Sequence, residues 1–226
     1  MNVFLILRDA WFFYSRNLMA IAQLCLPLIL IENVTILGVE QLVGKDALPM
    51  QDLLISLIFY PLYIGALILF LDARTHGHAP SPRQVWARVL PLWPSLAVLA
   101  ALGTLLIMLG ASLLVLPGLW LMVKIAFAEY LLVLRGMSPL AALKESFQQT
   151  RGHFLLLLGC ILAALAPLWL IEAWIAQQLY QDDASRGVMA VLINSGVGMM
   201  QLLATVVLFR CFMLCSPNAP RLDKEI

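Results

Sequence analysis

Residues Ser95 to Leu134 read SLAVLAALGTLLIMLGASLLVLPGLWLMVKIAFAEYLLVL, and apart from Lys124 and Glu129 the run carries no charge. An α-helix rises ~1.5 Å per residue and the hydrocarbon core of a bilayer is ~30 Å thick, so one crossing needs ~20 apolar residues. This run holds about twice that. Leu116-Pro117-Gly118 sits near its middle and predicts a tight turn joining two crossings. Working outward, Leu18–Val39, Leu53–Leu71 and Phe154–Ala176 are equally oily, and Val188–Phe209 only slightly less so. The expected fold is an all-α integral membrane protein with six transmembrane helices.

Composition agrees. The chain is 62% hydrophobic and only 12% charged, against about 25% charged in soluble domains. No water-soluble core could hide so much apolar side chain. Charges are too few and scattered to track phosphates, so no nucleic-acid partner is expected. Cys25, Cys160, Cys211 and Cys215 all lie in apolar runs without a CxxC pair, which reads as buried small hydrophobes. Arg8 and Arg16 follow the apolar start rather than precede it, so the N-terminus is not expected to be a cleaved signal.

Cations set the expected orientation. With six crossings, Arg8, Arg16, Arg74, Arg83, Arg88, Arg135, Lys144, Arg151, Arg210, Arg221 and Lys224 fall on one side, and Lys45 and Arg186 on the other. Lysine and arginine accumulate on the cytoplasmic side, which places both termini there. Removing or adding one crossing would scatter the cations, so the asymmetry also supports six. The outer connections are short and leave no room for an extramembrane domain. The chain is read as a single membrane domain, 1–226, ending in a short cytoplasmic tail, 216–226.

Three amphipathic stretches precede the three hairpins. They are Asn2–Asn17, Ser81–Leu92 and Ser138–Arg151. Ser81-Pro82 and Ser138-Pro139 both suit a helix start, because serine caps and proline is preorganised for the first turn. Pro27-Leu28-Ile29-Leu30-Ile31-Glu32 parallels Pro167-Leu168-Trp169-Leu170-Ile171-Glu172. The reading is three copies of one unit, an interfacial cytoplasmic helix plus a transmembrane hairpin, at 1–71, 81–134 and 138–215; convergence of apolar helices by composition is the bland alternative. Trp11, Trp86 and Phe147, with Arg16, Arg88 and Arg151, are the expected interfacial and headgroup anchors.

Four ionisable residues fall within the crossings: Glu32, Lys124, Glu129 and Glu172. Each costs at least ~2–3 kcal/mol at the centre of a lipid-facing helix. Helical rise puts Glu32, Lys124 and Glu172 in the outer half of the membrane, where a Glu–Lys–Glu cluster is sterically allowed. Glu129 falls in the inner half, with a cytoplasmic-side arginine as its expected partner. The cluster reads either as an ion pair fixing helix order or as a substrate or proton site. Pro27, Pro61 and Pro167 are expected to interrupt three helices.

Chemistry-bearing motifs are missing. There is no HExxH, Gly-x-Ser-x-Gly, P-loop or GxGxxG, and no histidine is placed to activate a membrane-embedded serine or cysteine. Asp72, His76 and His78 read as a hydrated loop rather than a metal site. No enzymatic activity, metal or cofactor is expected.

The run Leu116-Pro117-Gly118, then Gly136-Met137-Ser138-Pro139-Leu140-Ala141-Ala142-Leu143-Lys144-Glu145-Ser146 and Thr150-Arg151, resembles the YciC-type bacterial inner-membrane proteins. So do the start, Arg8–Asn17, and the end, Leu208–Leu214. The pattern is also similar to the membrane domains fused to some glycerophosphodiester phosphodiesterases. The resemblance implies a Gram-negative inner membrane and brings no catalytic residues. A first outer loop shorter than in some members argues against a function seated there.

Two functions fit. One is a non-enzymatic membrane protein that scaffolds partners or acts on envelope lipid, with membrane lipids, other membrane proteins or a second copy as partners. The other is a small transporter or permease using Glu32, Lys124 and Glu172.

Overall fold

The computed structural model describes residues 3–43, 49–179 and 187–215. Among them every regular element is helical: α1 (Val3–Val43), α2 (Pro49–Thr75), α3 (Pro82–Val89), α4 (Trp93–Leu113), α5 (Val115–Ile125), α6 (Ala128–Arg135), α7 (Pro139–Gln149), α8 (Phe154–Leu179) and α9 (Val188–Cys215). Six spans are long and apolar enough to cross a membrane: α1, α2, α3 continued into α4, α5 continued into α6, α8 and α9. The tail 216–226 lies outside the described residues, as do Lys45 and Arg186.

The first and last helices meet. α1 packs along α9 and α2, and α8 along α9. The Tyr14 hydroxyl donates to the Met199 carbonyl at 2.6 Å, and the Arg210 guanidinium lies 3.3 Å from the Asp9 carboxylate. The start of α1 and the finish of α9 therefore share one end of the bundle. α6 is locked to α9 by aromatic packing. Tyr130 stacks on Phe212 with centroids 5.5 Å apart, and its hydroxyl donates to the Thr205 carbonyl at 2.8 Å. One contiguous apolar core takes residues from all nine helices.

The amphipathic stretches differ from expectation in the first unit. Asn2–Asn17 is not a separate interfacial helix: α1 runs unbroken for 41 residues, about 60 Å. No glycine or proline occurs between Val3 and Leu26, so nothing stops the helix at Asn17. α3 and α7 are separate, as the Ser-Pro starts predict. Ser81 closes a capping box with Gln84, whereas Ser138 occupies the N-cap position without a side-chain bond. α7 packs one face into the bundle. It buries Ala142, Leu143 and Ser146 and packs against α4, α5 and α6.

Pro117-Gly118 is not the turn. The chain reverses at the extended residue Leu114, and Pro117 and Gly118 lie in the first turns of α5. Proline is tolerated there because the first helical N–H groups have no intrahelical partner. Gly118 serves close approach. A Cβ at this position would lie 2.9 Å from the Ala111 nitrogen, and one at Gly110 would lie 3.0 Å from the Gly118 Cα. α4 and α5 therefore touch backbone to backbone, as small residues permit in membrane helix pairs.

Pro27, Pro61 and Pro167 do not interrupt their helices, which continue through them. The break falls where no proline stands, at Ala126 and Phe127, between α5 and α6.

Candidate functional site

The break has a visible cause. Ser146, fully buried on α7, donates its hydroxyl hydrogen to the Lys124 carbonyl at 2.7 Å and accepts the Phe127 N–H at 3.1 Å. A side chain inserted into the i→i−4 ladder opens a helix while satisfying the groups it frees. Two half-helix ends now face each other inside the span. Lys124 is in the last turn of α5 and Glu129 in the first turn of α6. A cation complements the negative end of a helix dipole and a carboxylate the positive end, so each charge suits its own half-helix.

Beside the break lies a cavity of ≈ 530 Å³. Its walls come from α2, α4, α5, α6, α7, α8 and α9 and are mostly aliphatic, Leu99, Ile107, Ile125 and Ile161 among them. Five polar side chains line it: Asp52, Ser56, Tyr60, Thr104 and Glu129. Asp52, Ser56 and Tyr60 are spaced four apart and form one stripe along α2, running ~12 Å from the exposed Asp52 into the bundle. Asp52 stands at the end of the bundle opposite the start of α1 and the finish of α9. At the deep end the Tyr60 side chain neighbours the Glu129 carboxylate.

The three residues expected to cluster are not joined. Glu32, 7% exposed, has the polar side chains of Ser56 and Tyr63 on α2 as its neighbours. Glu172 accepts from the side-chain amide of Gln201 on α9. Lys124, 8% exposed, places its ammonium 5.8 Å from the centre of the Trp120 ring. No carboxylate among the described residues comes within 4.0 Å of it. Position along a helix gives depth, but rotation about the axis decides who meets whom, and here each charge turns to a different neighbour. Glu32 alone touches the cavity's surroundings, through Ser56. Glu129 is the carboxylate that lines the space, with Tyr60 on α2 as its polar neighbour there.

The expected anchors Trp11, Arg16, Arg88 and Arg151 are exposed, and Trp86 is half-buried against the core. Phe147 is half-buried and meets the exposed Trp120 ring edge-on at 5.9 Å. His76 and Asp72 bond locally, and no group of three metal-ligating side chains gathers among the described residues.

Apart from Glu129, the cavity's polar members escaped the sequence reading. α2 read as hydrocarbon, although polar side chains at every fourth position from Asp52 to Tyr60 are legible as a face. Ser146 carried no signal, because the helix it opens lies some twenty residues earlier in the chain.

Known proteins agree with the membrane class. The UPF0259 membrane protein of Yersinia pestis (strain Pestoides F) is 24% identical over 170 residues, which is 75% of this chain and 64% of the relative. The UPF0259 membrane protein of Yersinia pseudotuberculosis serotype O:3 (strain YPIII) matches with the same figures. The chain is a distant relative of the UPF0259 membrane proteins. It spans somewhat under two thirds of the length of those it matches. No family profile matches the chain, and no solved structure does. Six apolar spans and these relatives together make it a multi-pass membrane protein.

Proposed function

We propose that the protein is a non-enzymatic, YciC-type inner-membrane protein that takes up one small amphiphilic molecule in the cavity beside the broken α5–α6 span, acting as a permease or lipid-handling protein. The observation that carries this is Glu129, a carboxylate on the wall of a ≈ 530 Å³ mostly aliphatic space. Ligand sites of ~300–1,000 Å³ with apolar walls and a few placed polar groups are the ordinary form of small-molecule pockets. A discontinuous helix whose ends turn toward the site is the form membrane transporters use. Both supports favour uptake of a solute over a purely scaffolding role, with the α2 stripe and Glu129 in place of the Glu32–Lys124–Glu172 cluster. Cation asymmetry puts both termini in the cytoplasm, so Asp52 and the cavity's mouth face the periplasm.

The test is native mass spectrometry of protein extracted with its own lipids. The wild type should carry a single small adduct. Ala100→Trp, which places an indole in the cavity from α4, should lose it while keeping its helical circular dichroism. No adduct on the wild type, or equal adduct on both proteins, would contradict the proposal.

A further inference from the structure

We infer that the cavity selects a lipophilic cation, a molecule with an amine-like head and an apolar body; this rests on the ligand-binding reading above. Two carboxylates line the space, Asp52 at the exposed rim and Glu129 in the depth, and no lysine, arginine or histidine lines it among the described residues. Lys124 is the cation nearest in sequence to Glu129, and it turns to Trp120 instead. The Glu129 carboxylate shares the cavity wall with the Tyr60 side chain, which leaves it lone pairs for a ligand. In a low-dielectric interior a carboxylate without a fixed cation favours any cation brought to it and opposes an anion.

Other occupants fit less well. A bare calcium or magnesium ion needs about six oxygen ligands around one point. Here the side-chain oxygens of Asp52, Ser56 and Tyr60 are strung along ~12 Å of helix. The walls between are aliphatic, which suits a hydrocarbon body rather than a hydrated ion. An ammonium group at the deep end would meet the Glu129 carboxylate and the electron-rich ring of Tyr60 together, two favourable partners for one charge. Asp52 at the rim would draw the same charge inward.

Three amphiphiles of equal chain length separate the claims: dodecylamine, dodecanol and dodecanoate. Each is titrated by calorimetry into the full chain in phosphatidylcholine nanodiscs, with empty nanodiscs subtracted. Dodecylamine should bind at one site, Ala100→Trp should abolish that binding, and dodecanoate should not bind. Glu129→Gln should weaken the amine roughly thirty-fold or more, the loss expected when one partner of a buried charge pair is removed. Tyr60→Phe, which keeps the carboxylate, should retain it. The selectivity of the wild type needs no variant and stands if Glu129→Gln does not fold. If dodecanol or dodecanoate binds as tightly as the amine, and Ala100→Trp removes that binding, charge selection is wrong while the cavity remains a ligand site. If none of the three binds, or if amine binding ignores Ala100→Trp, both readings fail.

Discussion

Gly118→Leu should separate α4 from α5 and lower stability by about 3 kcal/mol or more, the upper end of the cost of overpacking. The reason is the identity of the obstacle. A Cβ at Gly118 would meet the Ala111 nitrogen at 2.9 Å and its Cα at 3.0 Å. A flexible side chain could swing aside, but helix backbone moves only as a whole. Separating the pair also displaces Gly103 and Ile125, which line the cavity from α4 and α5. Unfolding in mixed detergent with increasing dodecyl sulfate measures the effect. Gly196→Leu, where no atom lies within 4 Å of the added Cβ, is the control and should change little. Equal midpoints for the two variants would show that α4 and α5 do not pack backbone to backbone.

Ser146→Ala should cost about 1–3 kcal/mol, the range for leaving a buried polar group without its partner. The lost hydroxyl is the acceptor of the Phe127 N–H and the donor to the Lys124 carbonyl. Alanine fills nearly the same space, so the loss belongs to hydrogen bonding rather than to a void. Ser146→Thr keeps the hydroxyl and should recover part of the stability. Hydrogen exchange gives a second reading: the Phe127 amide should exchange faster in Ser146→Ala than in the wild type. Unchanged exchange at Phe127 would mean that the serine is not what opens the helix.

Six spans were readable because length and hydrophobicity are properties of single segments. The Ser81 cap was readable because it is local, Ser81 and Gln84 standing three residues apart. Interactions between distant segments were not. Helical rise assigns Glu32, Lys124 and Glu172 to one half of the membrane, yet their neighbours are Ser56, Trp120 and Gln201, and no one-dimensional pattern states a helix's rotation. Pro117-Gly118 misled because the same dipeptide serves a turn or a helix start followed by a close contact, and the choice depends on α4. The helix break carried no proline because its cause is a serine on α7. Glu129 was visible as an intramembrane charge, but its tyrosine neighbour lies about seventy residues away on α2.

The account turns on an open, ligand-sized space in the middle of the membrane beside Glu129. Neighbouring residues of α4 test this directly, because Thr104 lines the cavity while Leu105 is exposed on the outer surface of the bundle. Each is replaced by cysteine, and reaction with a small hydrophilic methanethiosulfonate is timed in intact membranes from both faces. The native Cys25, Cys160 and Cys211 are buried and Cys215 is half-buried at the finish of α9, so the rate of the unsubstituted chain is subtracted as background. Thr104→Cys should react readily and Leu105→Cys, held in lipid, hardly at all. A Thr104→Cys thiol as inert as its neighbour from both faces would mean that no such space exists.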